Sequence, residues 1–147
     1  MALVLGAALL EALMFRIRQL DHLVLRVTDL PAMLRFYTEV LGCTPERSQE
    51  DLGLYQLRAG NSLIDLVTVD GKLGRDGGQA PGREGRNLDH FCLRIDPFEG
   101  DALRAWLTQH GAAPGPVERR NGAEGEGPSL YLPDPEGNVI ELKGPPA

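Results

Sequence analysis

Two histidines occupy matched positions in two similar segments of this 147-residue chain. The segments Leu20-Asp-His-Leu-Val-Leu-Arg-Val27 and Leu88-Asp-His-Phe-Cys-Leu-Arg-Ile95 share leucine, aspartate, histidine, leucine and arginine in register. Later in each half, a carboxylate residue stands between aliphatic residues. Because borderline divalent metals accept imidazole nitrogen and carboxylate oxygen together, the repeat predicts a metal-binding or catalytic cleft. The candidate ligands are His22, Asp65, His90 and Glu141.

The recurrence of these residue types favours a site over a structural interpretation. A single histidine in a strand is usually structural, and a lone carboxylate among aliphatic residues usually faces solvent. A divalent cation held between the halves would offset the mutual repulsion of two carboxylates, and iron, manganese, cobalt, nickel or zinc suits such donors. The third histidine, His110, falls in the last turn of a predicted helix and is interpreted as structural.

Hydrophobic spacing predicts the elements that position these groups. In a strand from Asp21 to Val27, alternation places His22 opposite the apolar face, and Pro31 and Gly42 mark the start and end of a helix. The first half continues with strands at Thr44 to Gln49, Leu54 to Arg58 and Ser62 to Val69. The second half has a strand at Leu88 to Ile95, a helix at Phe98 to His110, and strands near Val117, at Ser129 to Leu132 and at Asn138 to Lys143. The predicted fold class is α+β, with two modules of strand, helix and three strands.

The two modules are expected to form one domain. Residues 1–19 are an apolar extension, 20–69 the first module, 70–87 a linker with six glycines, and 88–143 the second module. The extension has no Lys or Arg before Arg16, unlike a secretory signal, and is shorter than the ~20 apolar residues that span a bilayer. We expect a helix there that packs on the domain or on a partner; the alternative is a true start at Met14.

Four further side chains are candidates for substrate binding. Strand parity places Arg26 and Arg94 on the faces that carry the histidines, where they would bind an anionic substrate group or extend from a sheet edge to water. Ser129 and Tyr131 share one face of a strand, and their hydroxyls are either substrate contacts or packing groups. A glycine-rich stretch at 121–128 would be able to close over the site.

Composition excludes several other classes of function. The chain has 15 basic and 21 acidic residues, and its net charge of −6 argues against a nucleic-acid partner. No nucleotide-binding glycine loop, nucleophile elbow or membrane-binding segment is present. Cys43 and Cys92 form no disulfide framework, and Cys92 is interpreted as a packing residue. A cytoplasmic protein that acts on a small molecule is expected.

The motifs resemble those of the vicinal oxygen chelate superfamily, which includes glyoxalase I, extradiol dioxygenases and bleomycin-resistance proteins. The resemblance covers Leu20 to Lys143 and rests on both Leu-Asp-His motifs, on Phe-Tyr-x-x-Val-Leu-Gly42, and on Leu-Tyr-Leu-Pro-Asp-Pro-Glu-Gly-Asn-Val-Ile-Glu141. It implies paired βαβββ modules that form a cupped mixed sheet around one divalent metal, with His22, His90 and Glu141 as ligands. Asp65 stands where glyoxalase I has a fourth ligand, a glutamate. Aspartate is one methylene shorter, so the resemblance leaves open whether Asp65 binds the metal.

The resemblance implies a metal-dependent, glyoxalase-like lyase or isomerase. The metal would polarise adjacent oxygens of a small substrate, while Glu141, or Asp65 if it is near, moves a proton. Three alternatives stay open: a thiol transferase of the fosfomycin-resistance type, an extradiol-type dioxygenase, and a metal-free binding protein of the bleomycin-resistance kind. The superfamily builds its sites within one chain or between two, and we expect a homodimer here.

Overall fold

Each half of the chain folds into a strand, a helix and three further strands in the computed structural model, which describes residues 14–147. The first module comprises β1 (His22–Val27), α1 (Leu30–Arg35) with a π-helical turn (Phe36–Val40), β2 (Thr44–Gln49), a 3-10 turn (Glu50–Leu52), β3 (Leu54–Ala59) and β4 (Ser62–Thr68). A 3-10 turn (Gly74–Gly77) lies between the modules. The second module comprises β5 (Phe91–Arg94), α2 (Gly100–Gln109), β6 (Glu118–Arg120), β7 (Gly127–Pro133) and β8 (Val139–Lys143).

The two modules have the same sheet topology. The strand order is β1-β4-β3-β2 in the first sheet and β5-β8-β7-β6 in the second. In each sheet the first and last strands of the module pair in parallel, and the other neighbours are antiparallel. The predicted α+β class and the paired βαβββ modules are therefore confirmed.

Local sequence signals explain how α1 begins and ends. The Asp29 carboxylate accepts a hydrogen bond from the Ala32 backbone N–H at 3.1 Å, and Pro31 follows in the first turn, where its missing N–H costs nothing. The predicted helix to Leu41 is correct in extent, but its last five residues before Leu41 form a wider π-helical turn. Gly42 then has φ +80°, a conformation that favours glycine.

One hydrophobic core joins the two modules. On β1, Leu25 and Val27 point into this core, whereas His22 and Val24 on the opposite face are exposed. The predicted strand parity is therefore correct. The fully buried hydrophobic side chains come from both halves of the described chain: Val27, Met33, Tyr37, Leu57, Ile64 and Leu66, then Leu107, Leu130, Leu132 and Ile140.

Polar contacts also fasten the second module to the first, through the turn between β7 and β8. The Tyr37 hydroxyl donates to the buried Asp134 carboxylate at 2.8 Å. The Glu136 carboxylate accepts the backbone N–H groups of Thr28, at 2.8 Å, and Asp29, at 3.0 Å, just before α1. We call these contacts the inter-module clasp. The clasp and the shared core fix the orientation of the modules.

The structure differs from the sequence-based expectations at two segments. Residues 14–19 form no helix and are exposed; the remainder of the expected N-terminal helix falls outside the described residues. Strand β5 begins at Phe91 rather than Leu88, so His90 immediately precedes the strand. Across residues 14–147, no helix combines the length and apolar character needed to cross a membrane.

Candidate metal centre

The second module places His90 beside Glu141 on the open face of its sheet. Cys92 on β5 pairs with Glu141 on β8, so both lie on the face that carries His90. The His90 Nε2 atom lies 3.3 Å from Glu141 Oε1, and its Nδ1 atom is 2.7 Å from Asp89 Oδ2. Glu141 is only 5% exposed. We call His90 and Glu141 the C-terminal half-site.

The first module places His22 and Asp65 on the equivalent face. Val24 pairs with Asp65, and His22 shares the face of Val24 by alternation. His22 Nδ1 lies 2.6 Å from Asp21 Oδ1; this hydrogen bond chiefly raises the pKa of His22, and the charge of Asp65 adds to the effect. Asp65 is 4% exposed and accepts a hydrogen bond from Gln56 Nε2 at 3.1 Å. We call His22 and Asp65 the N-terminal half-site.

The two half-sites do not come together within one chain. They lie on separate sheets, and among residues 14–147 no three His, Cys, Asp or Glu side chains form a group that could hold a metal ion. A convergence of all four predicted ligands inside one chain is therefore not observed. The clasp and the shared core join the modules through α1, the β7–β8 turn and the apolar face of β1 that lies opposite His22.

Each half-site offers an imidazole and a carboxylate, two of the donors that a divalent metal accepts. Asp65 Oδ1 and Glu141 Oε2 are buried and have no hydrogen-bond partner in the described chain, an arrangement that a bound cation would explain. Two ligands ~2.1 Å from one ion are about 3.0 Å apart at a right angle and about 3.4 Å apart at a tetrahedral angle. The 3.3 Å separation of His90 Nε2 and Glu141 Oε1 lies within this interval.

The aspartates before the histidines complete the half-sites, and the sequence reasoning missed their role. Metal-binding histidines usually donate the second ring N–H to a carboxylate, which fixes the tautomer and leaves the other nitrogen free to bind. Asp21 and Asp89 occupy this position at Nδ1, and in the neutral histidine this contact leaves Nε2 as the atom that can bind a metal. The signal was present in the sequence, since the aspartate repeats together with the histidine.

The predicted hydroxyl residues have different environments. Tyr131 pairs with Glu141 across β7 and β8, its ring centroid is 5.1 Å from that of His90, and the Arg120 guanidinium lies 4.4 Å from its ring. Burial first, and the charge of Glu141 second, raise the pKa of Tyr131, so this hydroxyl keeps its proton at neutral pH. Ser129 is fully buried, and its hydroxyl accepts a hydrogen bond from Arg120 at 2.8 Å.

The two predicted arginines have different partners. Arg26 donates to the backbone carbonyls of Gly74, Gly78 and Gln79, at 2.7 to 3.2 Å, and so fastens the linker to β1. Arg94 forms an ion pair with Glu124 at 2.8 Å at the edge of a cavity of about 290 Å³. This cavity adjoins the C-terminal half-site, and its lining residues are His90, Cys92, Arg94, Asn121, Gly122, Ala123, Glu124, Glu141 and Lys143. Lys143 was not predicted, although it lies two residues after Glu141 and therefore on the same face.

Similarity to known proteins agrees with this architecture. The chain is 32% identical over 139 residues to Virulence protein STM3117 of Salmonella typhimurium, covering 90% of this chain and 88% of the relative. The solved structure of that protein has a TM-score of 0.72 and covers 89% of this chain and 99% of its own. Glyoxalase domain-containing protein RDO1 of Mycosarcoma maydis is 33% identical over 128 residues, which cover 86% of this chain and 68% of the relative.

A lactoylglutathione lyase from Agrobacterium tumefaciens shares the fold, with a TM-score of 0.59 at 21% identity over 86% of this chain and 92% of its own. The family comparison covers nearly all of both modules, since residues 19–142 match a single family. The repeated modules, the sheet topology and the matched histidines all agree with that match. The chain belongs to the Glyoxalase/Bleomycin resistance protein/Dioxygenase superfamily.

Proposed function

We propose that this protein is a metal-dependent, glyoxalase-like enzyme that acts on a small oxygen-bearing substrate. The observation that carries the proposal is the C-terminal half-site, where an aspartate contacts His90 and a buried Glu141 oxygen has no hydrogen-bond partner within residues 14–147. The N-terminal half-site repeats the same residue classes with Asp21, His22 and Asp65. A surface that only binds a ligand by shape gives no reason for two buried carboxylates with unsatisfied oxygens.

We propose further that two copies of the chain complete each site. In a two-fold dimer, the first module of one chain would face the second module of its partner, which creates two equivalent sites. The half-site faces are accessible for this pairing: the His22 side chain is 47% exposed, and the adjacent Val24 is 49% exposed.

The side chains near the metal have separable roles. His22 and Asp65 of one chain and His90 and Glu141 of the other would hold a divalent ion, which would supply Lewis acidity to adjacent substrate oxygens. Glu141 has one oxygen beside His90 and a second without a hydrogen-bond partner in the described chain, so its carboxylate can hold or move a substrate proton. The protonated Tyr131 hydroxyl stands beside Glu141 and can donate a hydrogen bond to a substrate oxygen. The expected partner is thus a small molecule, and the expected compartment is the cytoplasm.

Metal binding tests both parts of this proposal. We expect purified wild-type protein to bind one Zn²⁺, Mn²⁺, Fe²⁺, Co²⁺ or Ni²⁺ per chain in calorimetric titrations, and His22→Ala and His90→Ala to lose most of that affinity. His110→Ala is the matched control, because this exposed histidine is at the end of α2, where it contacts the carbonyl and the ring of Trp106 and belongs to neither half-site. Absence of binding of all these metals to the wild-type protein would refute the metal-dependent function.

A mixture of the His22→Ala and His90→Ala variants tests whether two chains share the metal site. A dimer of one His22→Ala chain and one His90→Ala chain has one doubly altered site and one intact site. After subunit exchange, half of the dimers are mixed, so the mixture should recover about a quarter of the wild-type metal capacity. A mixture that binds no more metal than the separate variants would refute the shared site.

A separate assay reports the proton transfer proposed for Glu141. It measures the incorporation of deuterium from D₂O into small 2-oxo compounds at the carbon next to the carbonyl.

A further inference from the structure

Lys143 is a buried lysine in the cavity beside the C-terminal half-site. It is 5% exposed, lies on the open face of β8, and lines the cavity together with Glu141. Within residues 14–147, no carboxylate forms an ion pair with its ammonium, and no atom accepts a hydrogen bond from it. Within the described chain, its ammonium therefore keeps hydrogen-bond donors that a ligand in the cavity can reach.

The neighbouring loop is shaped around this lysine. A methyl group added at Gly122 would lie 2.7 Å from Lys143 Cε, and one added at Gly127 would lie 3.1 Å from Nζ. Such distances leave no room for a side chain at Gly122 unless the lysine moves. The glycine-rich stretch therefore encloses the Lys143 side chain and directs it along the cavity, which accounts for a segment that the proposed metal chemistry does not use.

With a metal bound, the other charges around the cavity are paired, and the Lys143 ammonium is left without a counter-charge from the described residues. The Arg94 guanidinium is balanced by Glu124 at 2.8 Å, and both line the cavity. In a completed metal site, the carboxylates of Glu141 and Asp65 would balance the two charges of a divalent ion. In that site, no described carboxylate that lines the cavity remains to balance Lys143. A ligand that brings one negative charge would complete the balance.

We propose that Lys143 binds an oxyanion group of the substrate, a carboxylate or a phosphate, while the neighbouring part of the same molecule reaches Glu141. Residues two apart on a strand are ~6.6 to 6.8 Å apart, a span that matches a small molecule with its oxyanion a few bonds from its reacting oxygens. This inference rests on the proposed function for the identity of the reacting end. Without metal, Glu141 offsets part of the Lys143 charge, so the anion should bind more weakly than in the metal-loaded protein. The lysine donors are nevertheless present, and the step can be tested on the chain alone.

The chain contains two lysines, Lys72 and Lys143, which makes the test direct. In protein with ¹³C-labelled lysine and no metal, we expect pyruvate to shift the Lys143 ε-methylene signal saturably and to leave the Lys72 signal in place. Pyruvamide, the neutral counterpart, should cause no shift. Inorganic phosphate in a parallel titration identifies which oxyanion is preferred. A failure of both anions to move the Lys143 signal, or an equal response to pyruvamide, overturns the proposal.

Two variants separate this site from the fold and from the metal. Lys143→Met keeps the length of the side chain and should weaken binding of the effective anion at least tenfold, whereas Lys72→Met should leave it unchanged. Gly122→Ala displaces the ammonium and should weaken the anion without removing the lysine. Equal binding by wild-type and Lys143→Met protein overturns the proposal. Metal uptake without anion binding leaves the proposed function standing, and anion binding without metal uptake leaves only the present inference standing.

Discussion

Replacing Tyr37 by phenylalanine removes the buried hydrogen bond of the inter-module clasp. The hydroxyl donates to Asp134 at 2.8 Å, and both residues are at most 4% exposed. A hydrogen bond to a charged acceptor contributes about 1.5 to 3 kcal/mol. Asp134 keeps three other donors, the backbone N–H groups of Glu136 and Asn138 and the Asn138 side-chain amide. The carboxylate therefore keeps hydrogen-bond donors in the variant. We expect the free energy of unfolding to fall by an amount near the lower end of this range, about 2 kcal/mol at pH 7.

The difference between the two proteins should shrink at alkaline pH. Burial, together with the adjacent Asp134 charge, raises the pKa of Tyr37 far above its usual value of about 10. Stability from a raised pKa is complete below the unfolded-state pKa and is lost as the pH rises above it. The wild-type protein should therefore lose about 1.4 kcal/mol per pH unit above pH 10 that the Phe variant does not lose. A deficit of about 2 kcal/mol would close near pH 11.5.

Urea unfolding from pH 7 to pH 11.5, followed by circular dichroism, measures this difference. Tyr55→Phe is the control, because the half-buried Tyr55 hydroxyl makes no hydrogen bond with a described residue and its removal should leave the pH dependence unchanged. A deficit for Tyr37→Phe that stays constant from pH 7 to pH 11.5 would show that the hydroxyl ionises as readily in the folded state as in the unfolded one. That result would refute the burial of the bond.

Two further substitutions test contacts outside the candidate site. Arg26→Met removes the donors that hold the linker carbonyls of Gly74 and Gly78, so limited proteolysis within residues 74–79 should accelerate, while the free energy of unfolding changes by less than about 1 kcal/mol. Unchanged cleavage would contradict this role. Glu136→Gln weakens the clasp at the Thr28 and Asp29 N–H groups before α1, and should cost about 0.5 to 1 kcal/mol in low-salt urea unfolding. Because the effect is electrostatic, the cost should fall at 1 M salt; a cost independent of salt would contradict it.

Local regularities made the modules and their faces predictable from the sequence. The alternation in β1 correctly separated His22 from Leu25 and Val27, because a strand has only two faces and the core selects one. Pro31 and Gly42 correctly marked the ends of the first helical segment. Such features depend on neighbours a few residues away, so strand faces and helix ends can be predicted from the local sequence.

The arrangement of the modules was not predictable in the same way. Strand parity placed His22 and His90 on equivalent faces but said nothing about whether those faces meet in one chain. That outcome depends on Tyr37 and Asp134, whose contact spans 97 positions and follows from no local pattern. The buried state of Lys143 likewise depends on how Gly122 folds over it, which the sequence presented only as a glycine-rich stretch.

The inter-module clasp has a consequence for the covalent connection between the modules. Its hydrogen bonds join residues 28–37 to residues 134–136, and none of these bonds involves a residue of the linker at 70–87. The shared core adds apolar contact between the same two bodies. A break in the linker would therefore leave the docking surface intact, and two half-length polypeptides would associate as the modules do now. The linker serves to hold their ratio at one to one and to keep their effective concentration high.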